Sequence, residues 1–160
     1  GLGPPTFGGA PPDKLGAWLD SMDRFRLKTP RPMKDLAEAV KRLRASTAEL
    51  PADLAYFLAE KATTDAPDGE GLVWRFDPLH RTTSPSPFDA AVFRTFLSRI
   101  EAPTLVVSGS RGFRTDDHAA RVAALRDARE VEIDDVGHMI HWLRPDALAA
   151  AIRAHVRRVS

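Results

Sequence analysis

Apolar residues recur at helical spacing in the first half of the chain and predict helices. The first 12 residues or so are rich in glycine and proline and are expected to form a loop. A helix then begins behind Pro12-Asp13 and ends at Thr29-Pro30. Its apolar positions share one face and are Leu15, Trp18, Leu19, Met22 and Phe25.

Two further helices follow the same pattern. One is predicted from about Met33 to Ala45, with apolar residues on one face and basic residues on the other, and the next begins after Pro51. Turn-forming residues at 63–69 are expected to end this helical segment. An extended stretch at 72–76 is closed by Asp77-Pro78, because the residue before a proline is disfavoured in the helical conformation.

After residue 87 the pattern changes to alternating helices and strands. The predicted elements are a strongly apolar helix over 88–100, a strand over 104–108, a helix over 115–126, a strand over 130–133 and a helix from about Pro145. A strand, a helix and a second strand predict a parallel pair joined by a crossover. Two strands are too few to bury the apolar residues that this chain offers, and they leave unpaired backbone groups along the edges of the sheet. We therefore expect the sheet to continue outside this chain.

Composition narrows the classes of function. The 160 residues, 43% of them hydrophobic, are enough for the core of one domain, and a net charge of +1 does not favour a nucleic-acid partner. The absence of cysteine excludes disulfides, thiolate nucleophiles and cysteine metal sites and is compatible with the cytoplasm, the location we predict. Without a signal peptide or a run of about 20 apolar residues, no membrane partner is expected.

The most informative residue is His138, in a loop between a short apolar strand and a helix. A histidine there can shuttle protons, because its ring titrates near neutrality; the alternative is a structural loop histidine. Gly137 is expected to supply a positive backbone angle or a close approach. Ser110, bracketed by Gly109 and Gly112, comes nearest to a nucleophile elbow, but a turn after the strand is the better interpretation.

Three stretches in this order resemble the C-terminal half of an α/β-hydrolase-fold enzyme: Gly1-Leu2-Gly3-Pro4-Pro5, the strand from Ala102-Pro103 to Gly109, and Val136-Gly137-His138. The resemblance is to the lidded group that includes serine-hydrolase-like proteins, esterases and haloalkane dehalogenases. It implies an α/β fold in which a helical lid precedes the last two parallel strands of the sheet and their flanking helices. The chain then divides into an N-terminal loop and lid, 1–86, and a C-terminal part of the core, 87–160.

The same resemblance implies a hydrolase in which His138 is the general base for a serine, or activates water if the nucleophile is an aspartate. The nucleophile and the oxyanion hole are expected on the N-terminal half of the fold, so the chain alone is predicted to be inactive. The expected substrate is a small, apolar, ester-like molecule, and no cofactor or metal is required.

The catalytic acid has three candidate positions. Many relatives carry it where this chain has Gly112, which leaves Asp116, Asp77, or an acid just ahead of Gly1, the position we favour slightly. Thr115-Asp116-Asp117 is also explained as a cap and acidic first turn of the next helix.

Other residues are assigned by type and position. Trp74 and Trp142 are candidate neighbours of the substrate pocket, although aromatic residues at such positions are ordinarily part of the core. His141 is expected to be a packing or capping residue rather than a metal ligand. The histidines without nearby partners in the sequence are expected at the surface and are His80, His118 and His155.

The expected partner is the N-terminal half of the hydrolase fold, or a second copy of the chain paired through the open sheet edges. The alternative to an enzyme is a non-catalytic interaction module derived from the same fold. Such a module would use the apolar helical face that carries Phe88, Val92 and Phe96.

Overall fold

A computed structural model of the chain describes residues 2–4, 11–27, 31–82 and 84–159. Thr29-Pro30, the predicted end of the first helix, and most of the predicted N-terminal loop lie outside the described residues. The chain divides into two compact units, Gly9–Ser86 and Gly1–Gly8 together with Pro87–Ser160. Residues 2–4, which the sequence-based division placed with the helical segment, therefore group with the C-terminal unit.

The unit Gly9–Ser86 combines helices with a small antiparallel sheet. Its elements are α1 (Pro11–Arg26), α2 (Leu36–Ser46), α3 (Ala52–Ala62), β1 (Thr63–Asp65), β2 (Leu72–Trp74) and a 3-10 turn (Pro78–Arg81). The three predicted helices and the extended stretch before Asp77 are confirmed. The core of this unit is a cluster of buried residues: Met33, Ala39 and Ala59.

The predicted start of the second helix at Met33 is wrong. The helix begins at Leu36, because the Asp35 carboxylate accepts the Glu38 N–H at 2.9 Å and so caps the helix there. Met33 pairs instead with Leu72 through two main-chain hydrogen bonds of 2.7 and 2.8 Å. A pairing across 39 positions leaves no trace in a helical periodicity.

The predicted turn over 63–69 is also partly wrong, because β1 occupies its first three residues. The turn proper runs from Ala66 to Gly71, where the Ala66 N–H donates to the Gly71 carbonyl at 2.9 Å. Gly71 has φ +86°, and a Cβ there would lie 2.3 Å from the Met33 carbonyl oxygen. Glycine is thus required at this close approach of two main-chain segments.

The C-terminal unit is built around two parallel strands. Its elements are α4 (Ala90–Leu97), β3 (Thr104–Gly109), α5 (His118–Ala123), β4 (Ala128–Ile133), α6 (Ile140–Leu143) and α7 (Pro145–Val159). β3 and β4 pair in parallel from Thr104↔Ala128 to Gly109↔Ile133, which confirms the predicted pair and its crossover. The crossover helix is shorter than predicted, and α6 was not predicted.

Helices cover both faces of this pair, as parallel strands require. On one face Val106 is buried against Leu97 and Leu125, and on the other Val107 packs on Ile133 and its neighbours. Successive strand residues therefore serve opposite clusters. In the described part of the chain no third strand pairs with β3 or β4.

Arg121 ties residues 2–4 to the C-terminal unit. Its side chain is fully buried, and Nη1 donates to the carbonyl oxygens of Leu2 at 2.6 Å and Pro4 at 2.9 Å. Gly3 passes beside it with φ +79°, and a Cβ there would lie 3.2 Å from Nη1. The start of the chain is thus held by a residue more than a hundred positions away.

The buried charge of Arg121 is compensated by its surroundings. Asp117 lies 2.8 Å from Nε, and the guanidinium carbon lies 5.2 Å from the Phe88 ring centroid and 5.7 Å from that of Phe93. Asp117 stands at the N-cap position of α5, but its carboxylate makes no cap hydrogen bond. The hydrogen bond from Arg121 instead holds the pKa of Asp117 below its ordinary value.

Among the described helices, none is both long enough and apolar enough to cross a membrane.

Candidate functional site

A small cavity of about 80 Å³ lies at the carboxyl end of β3. The residues that line it are Val107, Ser108, Gly109, Gly112, Phe113, His138 and Ile140. Two of them, His138 and Ser108, bring polar side chains, and the two glycines leave room by having none. Ligand sites in open parallel sheets characteristically lie at this end of the strands.

The fold turns His138 toward solvent and this cavity. Val136 before it is fully buried and Ile140 after it is 8% exposed, so these two occupy the core while His138 remains exposed. Within the described part of the chain the His138 ring makes no hydrogen bond. Its position is therefore set by the main chain of the loop between β4 and α6.

The glycine that this loop requires is Gly109, not Gly137 as expected. A Cβ on Gly109 would lie 2.3 Å from the Val136 carbonyl oxygen and 2.5 Å from that of Gly137, so the loop rests directly on the end of β3. Gly137 itself does not have a positive φ, and a Cβ there would meet open space. The positive angle belongs to Asp135, at φ 54°.

Asp135 connects the histidine loop to two other segments. Its N–H donates to Ser110 Oγ at 2.9 Å, and its carbonyl oxygen accepts from Arg111 Nη2 at 3.0 Å and Arg144 Nη2 at 3.3 Å. Its carboxylate lies 3.1 Å from Arg144 and 3.4 Å from Arg111. The Ser110 hydroxyl thus serves the turn, which favours its interpretation as a turn residue over that of a nucleophile.

Neither Asp116 nor Asp77 is among the residues that line the cavity. Gly112, at the position common in relatives, does line the cavity with His138 but brings no carboxylate. Asp116 is exposed on the segment before α5 and is not a lining residue. Asp77 belongs to the other unit, where its carboxylate accepts the Leu79 N–H at 2.8 Å and caps the 3-10 turn. The assignment of the catalytic acid to Asp116, to Asp77 or to a residue ahead of Gly1 remains a prediction.

The two candidate tryptophans are both half-buried. Trp74 packs on the Met33 cluster of the helical unit, which the core interpretation anticipates. Trp142 lies on α6 with its ring centroid 5.2 Å from that of His141 and does not line the cavity. Sequence analysis missed Phe113, a lining residue that is 65% exposed, because no periodicity orients a side chain in a loop.

Sequence analysis also missed the environment of His118, which is not a surface residue. It is 8% exposed, and its Nε2 lies 2.7 Å from the Glu130 carboxylate. The packing of α5 on β4 brings these two residues together, which spacing along the chain does not indicate. No group of three or more metal-ligating side chains is found among the described residues.

Comparison with known proteins shows what this architecture resembles. No family model and no curated protein matches the chain. A thioesterase domain from the curacin biosynthetic pathway aligns with 94% of this chain and 55% of its own, at 24% identity and a TM-score of 0.79. The chain has the fold of the C-terminal portion of an α/β hydrolase.

Two further solved structures agree with this hydrolase fold. An esterase of M. tuberculosis aligns with 93% of this chain and 52% of its own, at 17% identity and a TM-score of 0.71. The peroxisomal alpha-beta-hydrolase Lpx1 of Saccharomyces cerevisiae aligns with 88% of this chain and 39% of its own, at 15% identity and a TM-score of 0.62. The chain thus spans about half the length of the thioesterase domain and of the esterase. The parallel sheet of its described residues has two strands and is incomplete relative to a full hydrolase fold.

Proposed function

We propose that this chain supplies the catalytic histidine, His138, of a hydrolase that is active only when the N-terminal portion of the fold is present. The observation that carries the proposal is the position of His138, exposed at a cavity beside the carboxyl end of β3. An unpaired imidazole at this end of the sheet is placed to exchange protons with a bound molecule.

The other catalytic groups are proposed to come from the N-terminal portion. Within the described residues, Ser108 is buried in the end of β3, the Ser110 hydroxyl accepts a main-chain hydrogen bond, and no carboxylate lines the cavity. The unpaired edges of β3 and β4 offer places where further strands could add. Pairing of these edges between two copies of the chain is the competing arrangement.

The proposed mechanism uses His138 as a proton carrier. With a serine nucleophile, the imidazole accepts the hydroxyl proton during attack on the carbonyl carbon and then donates it to the leaving group. With an aspartate nucleophile, it removes a proton from the water that hydrolyses the covalent intermediate. Neither route requires a metal or a cofactor.

The proposed substrate is a small, apolar, ester-like molecule. Besides His138 and Ser108, the side chains that line the cavity are apolar and belong to Val107, Phe113 and Ile140. Such walls suit an acyl or alkyl group better than a charged one. The helices of Gly9–Ser86 are proposed to act as the lid, with Trp74 contacting substrate. A cytoplasmic location stays a prediction.

Reconstitution tests this function. The chain is combined with the N-terminal portion of the fold, taken either from a separate chain or from the sequence ahead of Gly1, and hydrolysis of p-nitrophenyl butyrate is measured. We expect activity only with both parts present and a loss of about 10³-fold or more for His138→Ala. The matched control is His141→Ala, an exposed histidine on the following helix, which should retain activity.

Two results would contradict the proposal. Ester hydrolysis by the 160 residues alone that is lost on His138→Ala would show that no further portion is needed. Full activity of His138→Ala in the reconstituted protein would remove His138 from the mechanism.

The exposed face of α4 favours a second candidate function, a non-catalytic interaction module. Val92 is 52% exposed and Phe96 is 64% exposed, whereas Phe88 is half-buried beside Arg121 and does not belong to that face. Sedimentation and thermal unfolding discriminate the two functions. A cooperatively unfolding monomer without activity in any combination favours the module, and self-association or a molten state favours an incomplete hydrolase.

A further inference from the structure

We propose that Asp135 is a positioning residue for His138, acting through the main chain of the loop that joins β4 to α6. The inference rests on the proposed function, since it assumes that the placement of the His138 ring matters for proton transfer. Asp135 does not line the cavity and so has no part in the chemistry itself.

The main chain at Asp135 has a conformation that most residues avoid. Among the described residues other than glycine, Asp135 alone has a positive φ, 54°. Side chains with a Cβ are strained in this region, and aspartate and asparagine tolerate it best. The angle redirects the chain as it leaves β4, three residues ahead of His138.

The hydrogen bonds of Asp135 hold this turn against two other segments. Ser110 and Arg111 belong to the turn after β3, and Arg144 lies between α6 and α7. All three bond to the main-chain N–H or carbonyl of Asp135. The histidine loop is therefore braced at the residue where its direction changes.

The residue after Asp135 is also held in place by contacts with the turn after β3. The Arg111 N–H donates to the Val136 carbonyl at 3.0 Å, and the Val136 side chain is fully buried. Because the His138 ring has no hydrogen bond of its own in the described part of the chain, these main-chain contacts set the position from which its side chain extends. A change of angle at residue 135 would move the ring.

The backbone conformation of Asp135, and not its charge, is expected to fix the position of the His138 ring. The Asp135 side chain is 73% exposed, and ion pairs so accessible to water contribute little. Asparagine has the same shape and accepts the same backbone angle, so Asp135→Asn should preserve the position of His138. Alanine lacks this tolerance, so Asp135→Ala should not.

NMR of the His138 ring and hydrogen exchange of residues 134–138 test positioning directly, in the chain bound to the N-terminal portion or, where it unfolds cooperatively, in the chain alone. For Asp135→Ala we expect displaced or broadened ring resonances and amide exchange that is faster by roughly tenfold. Asp135→Asn should resemble the unaltered chain. So should the matched control Asp134→Ala, which changes the exposed carboxylate next along the chain. If Asp135→Ala does not fold, Ser110→Ala replaces it, because it removes only the acceptor of the Asp135 N–H.

Kinetics of the reconstituted hydrolase provide the second measurement. Per folded active site, Asp135→Ala should lower kcat by roughly 10-fold to 100-fold with little change in KM, and Asp135→Asn should restore it. A merely structural role would lower the folded fraction and leave kcat per site unchanged.

Unchanged ring resonances and kcat in folded Asp135→Ala would overturn the inference. So would equal damage from Asp135→Asn, which would assign the effect to the charge. Full activity of His138→Ala would instead reject the proposed function, while the NMR measurement would still decide whether Asp135 positions the ring.

Discussion

At the scale of single residues, close main-chain contacts shape the candidate site. The end of β3 and the histidine loop meet so closely at Gly109 that no side chain fits between them. One charged residue of this unit is tied into the fold as well, since the guanidinium of Arg121 is buried against Asp117. Each feature leads to a prediction that compares one residue with a matched control residue.

Gly109→Ala is expected to destabilise the fold by about 1–3 kcal/mol, because the added methyl group would overlap two carbonyl oxygens that belong to the main chain. Gly137→Ala, only two positions from the loop residue Asp135, meets open space and should change stability by less than about 0.5 kcal/mol. Urea unfolding of both variants checks this. Equal losses at the two glycines would contradict the contact described at Gly109.

The pKa of Asp117 is lowered, chiefly by its hydrogen bond from Arg121, and this predicts a pH dependence of stability. In acid the unfolded chain binds the proton first, so the stabilisation is present above the unfolded pKa and is lost as the pH falls through the folded pKa. Asp117→Asn should therefore flatten the fall of the unfolding free energy with decreasing pH below about pH 4. Asp116→Asn, at the exposed neighbour, is the control and should leave the fall unchanged, as measured by urea unfolding across pH.

At the scale of elements, local sequence patterns account for the helices, whereas contacts between distant segments account for the short strands. The helices over the first half follow from apolar periodicity, and one capping residue, Asp35, sets the start of α2. The strand β1 and the bridge at Met33 depend on pairing with Leu72–Trp74, so composition predicted a turn where a strand forms. In the C-terminal unit a similar cap starts α4.

Asp89→Ala is expected to cost about 1 kcal/mol of stability, because the carboxylate accepts hydrogen bonds from the Ala91 and Val92 N–H groups at 2.8 and 3.0 Å. Hydrogen exchange should rise first over α4. Asp89→Asn keeps an acceptor at the same place and should lose much less. If both variants lose the same amount, the stabilisation comes from the charge and not from the cap.

At the scale of the whole molecule, the chain forms the C-terminal portion of a hydrolase fold and has about half the length of two of the structures that it resembles. Its parallel pair is covered on both faces, yet no described strand pairs with the outer edges. Reconstitution with the N-terminal portion is therefore the experiment in which fold and function are tested together. Pairing of two copies through the same edges would appear there as a dimer that the N-terminal portion does not displace.

The sequence by itself determined the secondary structure elements and the loop position of His138, because residues close together in the chain decide them. Periodicity predicted the helices and the parallel strands, and the order of strand, loop and helix singled out His138, because each depends on residues within one or two turns of chain. The resemblance to the hydrolase fold added the order of these elements, which the structure bears out.

Only the tertiary structure decided which residues meet. Buried Arg121 donates to the Leu2 carbonyl, buried His118 contacts Glu130, and the Asp135 N–H donates to the Ser110 hydroxyl, across separations of 119, 12 and 25 positions. Burial, close approach and a positive backbone angle arise from the packing of such distant segments, and no local pattern encodes them. For this reason the sequence identified the candidate histidine, whereas the structure showed what holds it in place.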